Sequence, residues 1–167
     1  FFERVLLNNL REAMRPFDGA QIERRDGRIY VEGIAPEEET AAIKRLCRVF
    51  GVHSVSAVTA SDKDMDSIAA VALDLMRKAA GVEPATFKVR ARRSDKRFLL
   101  NSMELAAEIG GRVLSAMPAL KVDVHRPQIM LDIEIRERAY LYTDAQKAVG
   151  GMPVGTGGRA MLLLSGG

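Results

Sequence analysis

Apolar and basic side chains alternate one by one near the middle of the chain, and this alternation constrains the fold more than any other feature. Residues 87–92 read Phe-Lys-Val-Arg-Ala-Arg. Successive side chains of a β-strand point to opposite faces of the sheet. The stretch therefore predicts a strand with an inward apolar row, Phe87, Val89 and Ala91. The same strand has an outward basic row, Lys88, Arg90 and Arg92.

The outward row continues into a concentrated patch of positive charge. It is extended by three residues of the following loop, Arg93, Lys96 and Arg97. Residues 88–97 thus hold six basic residues against one acid, Asp95, whereas residues 1–60 are neutral overall. Guanidinium and ammonium groups at strand spacing suit phosphate oxygens, which favours a nucleic-acid contact. An edge strand that its charges protect from aggregation is the alternative interpretation.

The first sixty residues predict the order helix, strand, strand, helix, strand. The elements are residues 1–14, Gln21–Arg25, Arg28–Val31, a helix from Pro36 to a stop at Gly51, and Val52–Thr59. Between the first two strands, Asp26-Gly27 is a strong hairpin signal. The buried face of the second helix is predicted to carry Ile43, Leu46, Cys47 and Phe50. This order is a ferredoxin-like β-α-β-β-α-β unit without its first strand, so we expect residues 1–60 to be the ferredoxin-like domain of a natural chain that begins earlier.

Residues 61–145 predict a second domain, in which two helices pack on a sheet. Asp64 caps the first helix, which Gly81 closes, and Asn101 with Glu104 opens the second helix, which Pro118 stops. The strand at residues 87–92 lies between these helices. Further strands are predicted at Val122–Val124, Ile129–Ile135 and Ala139–Tyr142. The chain is therefore expected to be α+β.

Residues 146–167 predict a linker followed by the start of another domain. Five glycines fall within residues 150–158, and the apolar run Arg159–Leu164 is typical of a buried parallel strand. Glycines after such a strand let backbone amides approach a phosphate, although a linker would look the same. The candidate nucleotide-binding residues are Leu163, Leu164, Ser165, Gly166 and Gly167.

The remaining residues form no catalytic or metal-binding pattern. Cys47 is expected to be an inert thiol on an apolar helix face, and a single cysteine suits a reducing, cytoplasmic location. His53 and His125 have no partner at metal-ligand spacing. No apolar run approaches the roughly 20 residues of a membrane helix. We therefore expect no metal, no membrane contact and no catalysis from these residues alone.

Four stretches, taken in chain order, carry a family resemblance. The first joins TFKVRARR at 86–93 with Asp95–Phe98 and Asn101–Glu104. The second joins DVHRP at 123–127 with Leu131–Glu137 and Ala139–Tyr142. The third and fourth are GGMPVGTGG at 150–158 and MLLLSGG at 161–167. In that order they resemble the start and closing strands of a THUMP domain, the segment that follows it, and the opening of the pyrophosphatase-type (PP) loop in the tRNA 4-thiouridine synthetases (ThiI).

The resemblance implies a role in tRNA thiolation. Such enzymes use ATP, with Mg²⁺, to activate the uridine at position eight of tRNA, take sulfur from a cysteine desulfurase and work as homodimers. Some also supply sulfur for the thiazole of thiamine. Their THUMP domain binds the acceptor stem and the CCA end. Carried onto this sequence, RNA contact falls on Lys88, Arg90, Arg92, Arg93, Lys96, Arg97 and Asn101, and ATP contact on residues 163–167.

Several parts of the family pattern are not found in this sequence. The opening strand, the aspartate of the PP-loop and the later sulfur-carrying cysteine are not among these residues, so we expect a fragment that grips tRNA and is itself inactive. Two alternatives stay open. One is a THUMP module of another RNA-modifying enzyme, such as a methyltransferase or a pseudouridine synthase. The other is a non-enzymatic RNA-binding adaptor.

Overall fold

The computed structural model describes residues 1–25, 27–81 and 83–158. Its helices are α1 (Phe2–Met14), α2 (Glu39–Leu46), α3 (Met65–Ala80) and α4 (Ser102–Ala116). Its strands are β1 (Gln21–Arg25), β2 (Arg28–Glu32), β3 (Ser54–Val55), β4 (Thr59–Ser61), β5 (Thr86–Arg93), β6 (Lys121–Val122), β7 (Ile129–Ile135), β8 (Ala139–Tyr142) and β9 (Gln146–Lys147). The expected α+β class is confirmed.

The chain forms two compact units. Unit 1 joins Phe1–Val55 to the segment that starts at Gln146, and unit 2 is Ser56–Ala145. The strand predicted at Val52–Thr59 is therefore wrong as a single element, because its two ends pair in different sheets. Its first part is β3, which pairs with β9, and its last part is β4, which pairs with β8.

Unit 1 has a small core between its two helices and its hairpin. The apolar residues of α1 recur at helical spacing, and Leu10 and Met14 are buried against Ala42 and Leu46 of α2. Strands β1 and β2 pair antiparallel, as the hairpin signal predicted, with Arg25 opposite Arg28. Asp26 of the turn lies outside the described residues.

The second helix ends earlier than its apolar pattern predicted. A 3-10 turn at Pro36–Glu38 precedes α2, which stops at Leu46 instead of Gly51, and Phe50 is half exposed instead of buried. The cause is competition for backbone groups. The Cys47 carbonyl accepts from Val149 N at 3.0 Å, and Gly51 N donates to a carbonyl at Gly150. Neither group is left to extend the helix.

Residues 146–154, here called the return segment, pack on unit 1. Beyond the β3–β9 pairing, Ala148 N donates to the His53 carbonyl at 2.9 Å and Gly150 N donates to the Val52 carbonyl at 2.8 Å. The side chain of Asn9 on α1 donates to the Val154 carbonyl at 3.1 Å. This part of the predicted linker thus supplies a strand to unit 1. The strand expected at 159–164 lies outside the described residues.

Unit 2 is a five-stranded sheet with its helices on one face. The strand order is β4-β8-β7-β5-β6, with β5 parallel to both of its neighbours and β8 antiparallel to both of its own. Residues of both helices share one core with the inward residues of the sheet. Its largest fully buried side chains are Phe87, Ile68, Met76, Leu105, Ile109, Leu131, Ile133, Ile135, Leu141 and Val113. The inward row predicted for β5 is confirmed at Phe87.

The helix starts of unit 2 follow their capping residues. The carboxylate of Asp64 accepts from Ser67 N at 2.9 Å. Asn101 and Glu104 form the reciprocal capping box, in which the Asn101 side chain accepts from two backbone amides and its own N–H donates to Glu104 at 2.8 Å. The strand predicted at Val122–Val124 is shorter than expected, because Asp123 opens a turn after β6.

Candidate nucleic-acid interface

The face of the unit 2 sheet that points away from α3 and α4, here called the polar face, carries charged and hydroxyl side chains. Strand β5 contributes the basic row, and the register places each basic residue beside a residue of β7. Lys88 is opposite Met130, Arg90 is opposite Asp132 and Arg92 is opposite Glu134. On β8, Tyr142 is opposite Asp132 and Tyr140 is opposite Glu134. The polar face is therefore a basic row flanked by an acidic one.

Arg90, at the centre of the basic row, is engaged by a buried carboxylate. Its Nε donates to Asp132 Oδ1 at 2.6 Å and its Nη2 donates to Oδ2 at 3.0 Å. The Asp132 side chain is 6% exposed, whereas that of Arg90 is 46% exposed. The hydrogen bond to Asp132 raises the pKa of Arg90 above its ordinary value, so the guanidinium stays charged. The two charges cancel at this point of the row.

The second acid of β7 is held in the same manner by a neighbour on its own side of the sheet. Glu134 accepts from Arg136 at 2.9 Å and from the Tyr142 hydroxyl at 3.3 Å, and its side chain is 8% exposed. Sequence reasoning missed both acids. A signal was present, because Leu131-Asp132-Ile133-Glu134-Ile135 alternates as strictly as β5 does.

The other two members of the basic row keep their charge without a carboxylate partner among the described residues. Lys88 Nζ donates to the neutral Val124 carbonyl at 3.1 Å. Arg92 is exposed, and no described group accepts a hydrogen bond from it. These two side chains are therefore better placed for phosphate than Arg90.

Arg93 does not extend the row. Strand alternation gives it the same side as Phe87 and Ala91. Its Nη1 donates to the carbonyls of Phe98 at 2.8 Å and Leu100 at 3.2 Å. Arg93 therefore holds the loop that follows β5, and sequence reasoning placed it on the wrong face.

That loop presents two exposed cations around one well-bonded acid. Asp95 accepts from Arg97 Nε at 3.1 Å and from Lys63 Nζ at 2.8 Å. The hydrogen bonds from Arg97 first, and then from Lys63, hold the pKa of Asp95 well below its usual range. The Arg97 side chain is 90% exposed, and Lys96 is exposed with no partner among the described side chains. Asn101 is occupied by its cap, so its side-chain oxygen is not available to RNA.

A second loop, residues 123–128, joins β6 to β7 and contacts the start of β5. Gln128 Oε1 accepts from Thr86 N at 2.8 Å, and Asp123 accepts from the amides of Arg126 at 3.0 Å and His125 at 2.8 Å. The amides of Arg126 and His125 lower the pKa of Asp123. The exposed Arg126 thus joins the end of the basic row where Lys88 lies, a grouping that the sequence pattern did not predict.

The remaining predicted site is the nucleotide-binding loop. Leu163, Leu164, Ser165, Gly166 and Gly167 lie outside the described residues. In the described ranges no group of three His, Cys, Asp or Glu residues could hold a metal. Cys47 is half-buried, with its Sγ 4.0 Å from the Gln146 carbonyl. None of the described helices is long and apolar enough to cross a membrane.

Comparison with known proteins gives two adjoining family matches. Residues 1–56 match the ThiI ferredoxin-like domain and residues 62–144 match the THUMP domain. The chain is 44% identical over 167 residues to a probable tRNA sulfurtransferase of Caldanaerobacter subterraneus subsp. tengcongensis, and it covers 43% of that relative's length. It therefore spans less than half of the relative.

Two solved structures share the architecture. A crystal structure of a Pyrococcus horikoshii protein superposes with a TM-score of 0.83 at 38% identity, covering 93% of this chain and 53% of the other. A 4-thiouridine synthetase in complex with RNA and bound ATP superposes with a TM-score of 0.79 at 30% identity, covering 99% of this chain and 42% of the other.

Proposed function

Because the chain belongs to the ThiI family, with a ThiI ferredoxin-like domain followed by a THUMP domain, we propose that it is the tRNA-binding part of an ATP-dependent tRNA sulfurtransferase that makes 4-thiouridine. Two relatives that match this chain along its whole length are named probable tRNA sulfurtransferases. The product of the proposed reaction is 4-thiouridine at position eight of tRNA.

The observation that carries the RNA-binding part is the cluster of exposed cations around β5. Arg92, Lys96 and Arg97 reach solvent, and Lys88 lies about 13 Å along the strand from Arg92 at the usual rise per residue. A row of this length can contact several phosphates of one backbone, which is the main source of affinity in RNA binding. We assign phosphate contact to Lys88, Arg92, Lys96 and Arg97, with Arg126 at the end of the row.

The recognition is of shape and backbone more than of sequence. Aromatic residues make up only 5% of the chain and tryptophan is absent from it, so a wide stacking platform for single strands is lacking. Structured RNA is instead recognised through its phosphates and its unpaired ends. We therefore propose that the partner is the acceptor stem of tRNA together with its CCA end.

The proposal extends to the rest of the enzyme. ATP with Mg²⁺ would bind at residues 163–167 and beyond, and a cysteine desulfurase would donate the sulfur. We also propose a homodimer that works in the cytoplasm and can supply sulfur for the thiamine thiazole. These residues by themselves would bind tRNA without modifying it, since Cys47 is half-buried and pairs with no described base.

Salt-dependent binding tests the RNA interface. Arg92→Ala should weaken tRNA binding and reduce the slope of log K against log salt by roughly 0.9, one phosphate contact. Arg77→Ala, on the exposed side of α3, is the matched control and should leave the tRNA affinity and the salt slope unchanged. Because both arginines are exposed, the free energy of unfolding should change by less than about 0.5 kcal/mol. An Arg92 variant with the slope of the wild type would rule out β5 as the main contact.

A second experiment separates the sulfurtransferase from the remaining candidates, a THUMP module of another RNA-modifying enzyme and a non-enzymatic adaptor. A tRNA that lacks its CCA end should bind more weakly than intact tRNA at the same salt concentration. Equal affinity would count against the family role.

Incubation with tRNA, ATP, cysteine and a desulfurase should yield no 4-thiouridine absorbance. Product that is lost on Cys47→Ser would overturn the division between binding and catalysis.

A further inference from the structure

The three residues of the basic row are supported in different ways. Lys88 bonds to a neutral carbonyl, and Arg92 bonds to no described group. Arg90, between them, bonds through two nitrogens to Asp132, a carboxylate that is 6% exposed. A nearly buried acid beneath the middle of a row of cations is costly for a surface whose only task is to attract phosphate.

The bidentate geometry leaves part of Arg90 available. A guanidinium carries five N–H groups, of which two are used by Asp132 at 2.6 Å and 3.0 Å. The remaining donors belong to Nη1 and to the outer hydrogen of Nη2, and the side chain is 46% exposed. Because the two bonds fix the plane of the guanidinium, these donors keep one direction relative to Lys88 and Arg92.

Charge and direction have different consequences for RNA binding. An unpaired cation gains affinity for any phosphate by releasing counterions, so it binds all nucleic acids alike. An arginine whose charge is cancelled gains little in this way. Its oriented hydrogen bonds form only with a partner whose acceptor atoms lie at matching positions.

On the basis of the proposed function, we propose that Asp132 is a positioning residue that sets the selectivity of the RNA interface. It cancels the charge of Arg90 and fixes its guanidinium. Arg90 therefore recognises the arrangement of acceptors in structured RNA, while Arg92 and Lys88 supply the attraction to phosphate.

The test is Asp132→Asn, which keeps the shape of the side chain and removes its charge. Binding of tRNA and of poly(U) is measured between 50 and 200 mM salt. For poly(U) the slope of log K against log salt should become steeper by about 0.7, a single-strand phosphate contact, so that the loss of affinity across this range grows about 2.6-fold. The preference for tRNA over poly(U) should fall at 50 mM salt. An unchanged slope would overturn the proposal.

The double variant Arg90→Gln, Asp132→Asn is the matched control. It lacks both charges, so its poly(U) slope should equal that of the wild type while its tRNA preference is reduced. A slope that is steeper in this variant too would show that Asp132 acts without Arg90, which contradicts the proposal. If Asp132→Asn does not fold, as judged by circular dichroism, the double variant decides alone, and a slope shallower than that of the wild type would overturn the proposal.

The outcomes of these experiments distinguish a failure of this inference from a failure of the proposed function. If the wild type binds no RNA, the proposed function itself fails. If Arg92→Ala makes the slope shallower while Asp132→Asn leaves it unchanged, RNA binding stands and only the role of Asp132 is wrong.

Discussion

Units 1 and 2 achieve stability by different means. Unit 2 is one continuous stretch with a fully buried core of long aliphatic side chains around Phe87. Among the described residues, the apolar core of unit 1 has four buried members, Leu10, Met14, Ala42 and Leu46, and the unit relies on the return segment for a strand and several backbone hydrogen bonds. The difference shows that a unit with a small core can depend on a remote segment, whereas a unit with a large core can be formed from neighbouring residues.

The largest expected effect is on the core of unit 2. Phe87→Ala removes a fully buried ring and should cost about 3–5 kcal/mol in the free energy of unfolding. Hydrogen exchange read by mass spectrometry should show the loss of protection in unit 2. Val122→Ala, on the neighbouring strand and half exposed, should cost less than about 0.5 kcal/mol. A comparable loss in both variants would contradict the description of this core.

The next effect separates unit 1 from its return segment. Gly51 has φ +98°, and a Cβ there would lie 2.9 Å from Pro153 Cγ. Gly51→Ala should therefore strain the backbone and displace the return segment, at about 1–3 kcal/mol. Faster hydrogen exchange should appear at β3 and β9.

A second glycine supplies the contrast. Gly111→Ala lies inside α4, where a Cβ would meet nothing within 4 Å, and it should stabilise unit 2 by about 0.4–1 kcal/mol. If Gly51→Ala destabilised unit 2 as much as unit 1, the distinction between the two units would be wrong.

A smaller effect comes from the start of α4. Asn101→Ala removes the acceptor for two backbone amides and should cost about 1 kcal/mol. Chemical denaturation measures the change. Asn8→Ala, exposed in the middle of α1, should change stability by less than about 0.5 kcal/mol. An equal cost at both positions would show that the cap contributes nothing special.

The smallest effect is a shift in the acid stability of unit 2. The pKa of Asp95 is lowered by hydrogen bonds from Arg97 and Lys63, and that of Asp64 is lowered by hydrogen bonds from Ser67. A carboxyl with a lowered pKa in the folded state stabilises the fold above its unfolded pKa of about 3.9, and this contribution is lost as pH falls below that value.

The measurement is an acid titration followed by circular dichroism. Asp95→Asn should reduce stability at neutral pH and flatten the loss between about pH 4 and pH 2. Asp74→Asn, on an exposed turn of α3, serves as the control. A titration of Asp95→Asn as steep as that of the wild type would show that this carboxylate does not govern the acid response.

The features that the sequence predicted correctly are local. The capping box of Asn101 and Glu104 spans four residues, and the alternation in β5 needs only its own residues. The THUMP and ferredoxin-like assignments rest on resemblance, and the family matches agree with them. Local patterns were sufficient where a residue acts through its immediate neighbours.

The features that the sequence did not predict depend on distant pairings. The early end of α2 depends on Val149, about a hundred positions further along the chain. The cancellation of the Arg90 charge by Asp132 depends on the register between β5 and β7, which a list of charges does not contain. The charge pattern alone assigns Arg93 to the basic row, because Arg93 directly follows Arg92. Strand alternation instead turns the Arg93 side chain to the opposite face, where it donates to the Phe98 carbonyl.

The pairing of β3 with β9 has a consequence for the order of folding. Val55 and Gln146 face each other in that ladder, so all of unit 2 lies between them as a loop. Closing a flexible loop of that length costs about 4 kcal/mol in chain entropy. Within unit 2, however, Thr59 already pairs with Leu141. Once unit 2 has folded, only a few residues at each end remain free, so most of the entropic barrier to completing unit 1 has been removed.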